Sequence, residues 1–320
     1  MISRRSFLLA TGAAGLLALP ARAAPPASAE VFPLWPGRAP GGGGPQGPLT
    51  VTPWGSVRNV ATPTLEVFVP ARPNGSAVLV AGGGGYKRIS LDGEARPAAR
   101  WLADRGITAF VLTYRLPGEG WLNGPLAPLQ DAQRALRLIR SAAPRYRLDP
   151  AKIGVLGFSA GGHLMGMAAT RFDLATYDPV DLADRLSARP ADAALIYPVI
   201  TLEPPYDGIL SRRMLVGSKP SADASARWSI ETDVKADCPP MFLVQAADDP
   251  IVNPQNTVIM ETACRRAKVP VERRLLPSGG HGFGMGRKGS PTQDWPRWYA
   301  AWLGHVGMIA ALTATDRTKP

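Results

Sequence analysis

Ile153-Gly154-Val155-Leu156-Gly157 followed by Phe158-Ser159-Ala160-Gly161 reads as a short apolar strand running into a Gly-Phe-Ser-Ala-Gly pentapeptide, and Ala160 to Arg171 continues as a helix. A G-x-S-x-G between a strand and a helix is the pattern of a nucleophile elbow. The sharp turn strains the serine backbone and exposes its hydroxyl. Glycines flank it because side chains there would clash with the strand and helix. Five residues with three fixed recur by chance, so it is the strand and helix around them that make Ser159 the candidate nucleophile.

Working outward, the chain alternates strand-like and helix-like segments from about residue 57. Thr64–Val69 and Ala77–Ala81 read as strands, separated by the turn Pro73-Asn74-Gly75-Ser76. Ala95–Arg105 reads as a helix and Ile107–Thr113 as a β-rich run. Leu126–Ala143 is an amphipathic helix with Leu129, Ala132, Leu136 and Ile139 on one face. Strands over Ala193–Tyr197, Met241–Ala246 and Val271–Leu276 follow, with helices over Pro254–Ala267 and Trp295–Val306. Early antiparallel strands followed by strand–helix alternation predict an α/β fold, with a mostly parallel central sheet and helices on both faces. Residues 199–235 break the alternation and suggest a small cap. Residues 24–56, with Gly41 to Gly44 in a row, read as an exposed Pro/Gly-rich arm, and 311–320 as a flexible tail.

A serine hydroxyl is a poor nucleophile until a base takes its proton. The chain has three histidines. His163 is one turn along the elbow helix, and His305 lies in the last helix beyond every strand. His281 sits in Ser278-Gly279-Gly280-His281-Gly282-Phe283, directly after the last strand, at the sheet edge where an elbow serine would also lie. An acid must then fix the tautomer of this base, and Ala247-Asp248-Asp249-Pro250 offers two. A tetrahedral intermediate needs preorganised donors for its oxyanion. These are expected from the amide of Ala160 and from Gly84 and Gly85 in Gly82-Gly83-Gly84-Gly85-Tyr86. That glycine run carries no G-K-[ST], and no G-x-G-x-x-G opens a helix after it, so a phosphate loop is not indicated.

The chain resembles the α/β-hydrolase superfamily, within the esterase/lipase group that includes hormone-sensitive-lipase-like and feruloyl or acetylxylan esterase-like enzymes. The segments that carry the likeness are Leu34 to Gly37, Gly82 to Tyr86, Tyr114-Arg115, Pro128 to Asp131, Gly157 to Leu164, Asp249 to Val252 and Gly279 to Phe283. One departure is Gly82, which stands where an H-G-G-G motif has histidine. The order Ser159, Asp249, His281 is that of the superfamily, and the D-x-x-V spacing through Val252 favours Asp249 over Asp248. The resemblance implies carboxylic-ester hydrolysis without a cofactor, on acetylated or feruloylated polysaccharide fragments. Tyr86, Trp121 and Trp228 are candidate substrate-binding aromatics.

Two other readings compete. A peptidase of the prolyl-oligopeptidase type shares the elbow and the residue order, but such enzymes carry an extra gating domain, for which these 320 residues leave no room. A hydrolase-fold carbohydrate-binding module would have lost part of the triad, and none is missing.

Ser3-Arg4-Arg5-Ser6-Phe7-Leu8, an apolar stretch to Leu19 and Ala21-Arg22-Ala23 have the form of a twin-arginine signal peptide over residues 1–23. Export to the periplasm or beyond follows, with no stable membrane span once the signal is removed. Without Arg4, Arg5 and Arg22 the 36 basic residues fall to 33 against 25 acidic ones, a balance of +8. The basic residues are scattered, so no nucleic-acid partner is indicated. The partner expected is a small-molecule or oligosaccharide ester. Cys238 and Cys264 read as buried free thiols, although a bridge between them is geometrically conceivable. No His/Cys cluster has metal-ligand spacing.

Overall fold

The computed structural model describes residues 30–310; the proposed signal peptide, residues 24–29 and the 311–320 tail lie outside them. Eight strands form the main sheet: Glu30–Pro33 (β1), Thr64–Phe68 (β2), Ala77–Ala81 (β3), Thr108–Thr113 (β4), Ile153–Phe158 (β5), Ala193–Ile196 (β6), Met241–Ala246 (β7) and Val271–Leu276 (β8). Their spatial order is β1-β2-β4-β3-β5-β6-β7-β8. β2 runs antiparallel to both neighbours, and every other pair is parallel.

The strand sequences explain this arrangement. β3 to β7 are buried along their whole length, as near-continuous apolar runs must be when helices cover both faces of a parallel sheet. β8 is the edge. It carries Glu272, Arg273 and Arg274 at partly or fully exposed positions, which blunts it against pairing with another chain. The helices Arg96–Ala103, Ala127–Ser141, Ala160–Thr170, Gln255–Arg266 and Trp295–His305 fall within two residues of the bounds expected from periodicity. The α/β-hydrolase architecture is therefore present, with the carboxyl ends of β5, β7 and β8 on one edge.

Residues 30–35 of the expected arm join the sheet, while residues 36–54 stay exposed or half-exposed. β1 adds to the sheet edge, and Leu34 and Trp35 are buried. Trp35 Nε1 donates to Asp131 Oδ1 at 2.8 Å, and Asp131 is ion-paired with Arg115, with both side chains fully buried. Proline and glycine exclude regular helix, but they do not prevent two apolar side chains from finding a buried carboxylate to cover.

Residues 199–235 hold two short helices, Leu210–Val216 and Ala222–Arg227, and a turn over Ile230–Asp233. Asn256 Oδ1 pins the stem of this insertion by accepting from the amides of Ile200 and Thr201. A small second sheet of Thr50–Val51, Ser56–Arg58 and Ile89–Ser90 sets Ser56 and Ser90 beside the glycine run. Cys238 and Cys264 are buried free thiols. Among the described residues no helix is long and apolar enough to cross a membrane.

Candidate active site

Ser159 has φ 52° and ψ −117°, a conformation that side chains rarely adopt and that persists only where the surroundings impose it. Those surroundings leave no room for a Cβ at either flanking glycine. At Gly157 it would run into the Gly161 carbonyl, and at Gly161 into the carbonyls of Ala81 and Gly82. The elbow, strand β5 and the glycine run are thus packed backbone to backbone, and only Ser159 presents a side chain.

Three elements converge on that side chain. The loop after β8 brings His281 Nε2 to 2.8 Å from Ser159 Oγ. The loop after β7 brings Asp249 Oδ2 to 2.7 Å from His281 Nδ1. The Asp249 side chain is fully buried. Its Oδ1 accepts from the amides of Ile251 and Val252, each at 2.9 Å, and its Oδ2 also accepts from Gln245 Nε2 at 2.7 Å. A carboxylate held by so many donors keeps its orientation. Nδ1 of His281 therefore carries the proton, and Nε2 faces the serine as an acceptor. Asp248 points elsewhere, to the amides of Gly279 and Gly280 at 2.8 Å each. His305 lies far along the chain in the last helix.

Gly84 and Gly85 line the cavity over Ser159. Among the described residues their amides and that of Ala160 donate to no protein acceptor, so all three are free for an oxyanion. The amide of Gly83 is occupied: it donates to Glu94 Oε2 at 2.6 Å. Glu94, which sequence reasoning did not single out, also lines this cavity.

Residues 65–264 match the BD-FAE family model. The chain belongs to the BD-FAE family. This BD-FAE chain is similar to the solved structure of an acetyl ester-xyloside bifunctional hydrolase from Caldicellulosiruptor lactoaceticus, with 32% identity and a TM-score of 0.74, covering 88% of this chain and 98% of that one. It is 31% identical over 229 residues to an acetylxylan esterase of Xylanibacter ruminicola, covering 69% of this chain and 44% of the relative. It is 37% identical over 208 residues to endo-1,4-beta-xylanase B of Butyrivibrio fibrisolvens, covering 64% of this chain and 32% of the relative. The BD-FAE chain thus spans less than half the length of these two curated relatives.

The three candidate aromatics do not line the serine cavity. Tyr86 is buried, and its hydroxyl lies 2.9 Å from His163 Nδ1. His163 Nε2 lies 2.8 Å from the Trp228 carbonyl. A carbonyl only accepts, so Nε2 carries the proton and Nδ1 accepts from Tyr86. Burial lowers the His163 pKa to about 4, so the ring is neutral and ties the glycine run to the insertion. Trp228 lines a separate cavity of about 830 Å³, with Leu122, Leu174 and Arg227. Trp121 packs over the Arg115 guanidinium, 4.9 Å from its ring centroid. Residue type marks these aromatics as amphipathic surface to be covered, but does not say by what.

Proposed function

We propose that this protein is a serine carboxylic-ester hydrolase that removes acetyl or other small acyl groups from carbohydrate or small esters through an acyl-enzyme. The observation that carries this reading is the continuous Ser159–His281–Asp249 hydrogen-bonded chain. Ser159 Oγ attacks the ester carbonyl as His281 Nε2 takes its proton, and Asp249 stabilises the resulting imidazolium. The carbonyl oxygen gains negative charge against the amides of Gly84, Gly85 and Ala160. Collapse of the tetrahedral intermediate expels the alcohol, which leaves with the proton from His281. Water, deprotonated by His281, then repeats the sequence on the acyl-serine and releases the acid.

The cavity over Ser159, about 380 Å³, supports a small acyl group and a polyhydroxylated alcohol. Ile209, Leu210, Ile251 and Val252 give it an apolar wall, and Ser56, Arg88, Ser90 and Ser211 a polar one. The acetylxylan esterase and acetyl ester-xyloside hydrolase among its relatives favour the same substrate class. The test is hydrolysis of p-nitrophenyl acetate, butyrate and octanoate beside acetylated xylo-oligosaccharide. Acetate preference with acetate released from the sugar is expected. Activity retained by Ser159→Ala overturns the mechanism. The twin-arginine pattern at Ser3 to Leu8 further supports export, and recovery of the protein from the cytoplasm alone, after expression in a bacterium with a working twin-arginine route, rejects it.

A further inference from the structure

Beyond the three hydrolytic residues, one buried carboxyl joins the two loops that the chemistry needs. Glu94 is buried beside Ser159. Its Oε2 accepts from the Gly83 amide, and its Oε1 accepts from the Tyr197 hydroxyl at 2.9 Å. The same hydroxyl oxygen accepts from the amide of Gly284, at 3.1 Å, in the histidine loop, and the Gly284 carbonyl accepts from Trp295 Nε1 at 3.0 Å. The Tyr197 ring stands edge-on to His281, with centroids 4.9 Å apart, and against Phe283 at 4.4 Å. Tyr197 is itself held at φ 39°.

We propose that Glu94 and Tyr197 are positioning residues that clamp the oxyanion glycines and the His281 loop at a fixed separation across Ser159. The proposal rests on the serine-hydrolase reading. Its logic is geometric. Gly83 abuts Ser159 so closely that a Cβ there would come 2.7 Å from the Ser159 Cβ. Fixing the Gly83 amide therefore fixes where the next two amides point. Burial raises the Glu94 pKa, while bonds from Gly83 and Tyr197 lower it; the site is shaped to be held by those two donors. An oxyanion amide displaced by a fraction of an ångström loses stabilisation that exists only in the transition state, so kcat falls while KM does not.

The test measures kcat and KM for p-nitrophenyl acetate, and the affinity of a trifluoromethyl ketone whose serine adduct carries the oxyanion. The proteins compared are the wild type and Ser159→Ala, Glu94→Ala, Glu94→Gln and Tyr197→Phe. Glu94→Ala and Tyr197→Phe are expected to lower kcat roughly 10- to 100-fold, below the loss from deleting an oxyanion donor outright. KM stays within about threefold, and ketone affinity falls in step with kcat/KM. Glu94→Gln, which keeps an acceptor for Gly83, recovers most of the rate. The Glu94→Ala/Tyr197→Phe pair should lose little more than Glu94→Ala alone, because the two act as one unit. Unchanged kcat in Glu94→Ala and Tyr197→Phe, with a dead Ser159→Ala, overturns the clamp and leaves the serine mechanism standing. A loss borne by KM also overturns it. A wild type that turns over no ester overturns both.

Discussion

Asp248 and Asp249 are neighbours in sequence that hold the same histidine loop from two different points. Asp249 grips the imidazole of His281 at Nδ1, whereas Asp248 receives the amides of Gly279 and Gly280 two and one residues before it. The pair separates tautomer from loop placement. Asp249→Asn removes the charge that stabilises the imidazolium and invites the wrong tautomer, so kcat on p-nitrophenyl acetate should drop by about three to four orders of magnitude. Asp248→Ala should cost only about tenfold, by loosening two amides. Equal losses in steady-state assays would contradict this division.

His163 makes stability acid-sensitive. Its pKa falls from its ordinary 6.5 to about 4 on folding, chiefly through burial. The unfolded chain therefore binds the proton first. Stability is complete above pH 6.5 and declines as the pH drops toward 4, by on the order of 3 kcal/mol. Denaturant melts across that range should show a slope that His163→Asn flattens.

Asp192 acts in the opposite sense. It is fully buried, and neither carboxyl oxygen has a hydrogen-bond partner among the described residues. Gly154 makes the space for it, since a Cβ there would lie 2.5 Å from Oδ2. Burial raises its pKa from 3.8 to about 7. Its contribution is therefore intact below pH 3.8 and is lost as the pH rises through 7, by on the order of 4 kcal/mol. Asp192→Asn should raise Tm by several degrees more at pH 8 than at pH 4. A shift of the same size at both would refute the assignment.

Leu210 is expected to bound the acyl side of the cavity. It stands over Gly85, where an added Cβ would meet Leu210 Cδ2 at 2.8 Å, and it lines the serine cavity. Leu210→Ala should raise the butyrate-to-acetate ratio of kcat/KM severalfold, in line with about 1–3 kcal/mol for a methylene gained or lost in an apolar site. An unchanged ratio would place the acyl group against Ile251 and Val252 instead.

The elbow and the chain order of Ser159, Asp249 and His281 were legible because each lies in a local pattern bound to a strand end. The choice between adjacent aspartates needed the family spacing, and geometry gives the two different partners. Glu94 was not legible, because it enters a helix with no motif around it and gains its partners, Gly83 and Tyr197, only through tertiary packing. Tyr86, Trp121 and Trp228 lie outside the lining of the serine cavity, and their places were unreadable for the same reason: hydrophobic surface predicts burial, and three-dimensional closure decides against what. Trp35 escaped notice as a packed residue because the glycines and prolines around it describe backbone freedom, while its anchor, Asp131, lies 96 positions away.

The insertion stem pinned by Asn256 divides the site by origin. Ser159 and His281 grow from the sheet edge, whereas Ile209, Leu210 and Ser211 hang from a segment strung between β6 and β7. One part of the cavity wall is thus encoded in a stretch of the gene separate from the hydrolytic residues, while Ser56, Arg88, Ser90, Ile251 and Val252 complete it from the scaffold. Recombination that exchanges the stretch inside the Asn256 knot can retune that part of the wall while Ser159, Asp249 and His281 are inherited, provided the new stretch keeps a carbonyl for His163 where Trp228 supplies one.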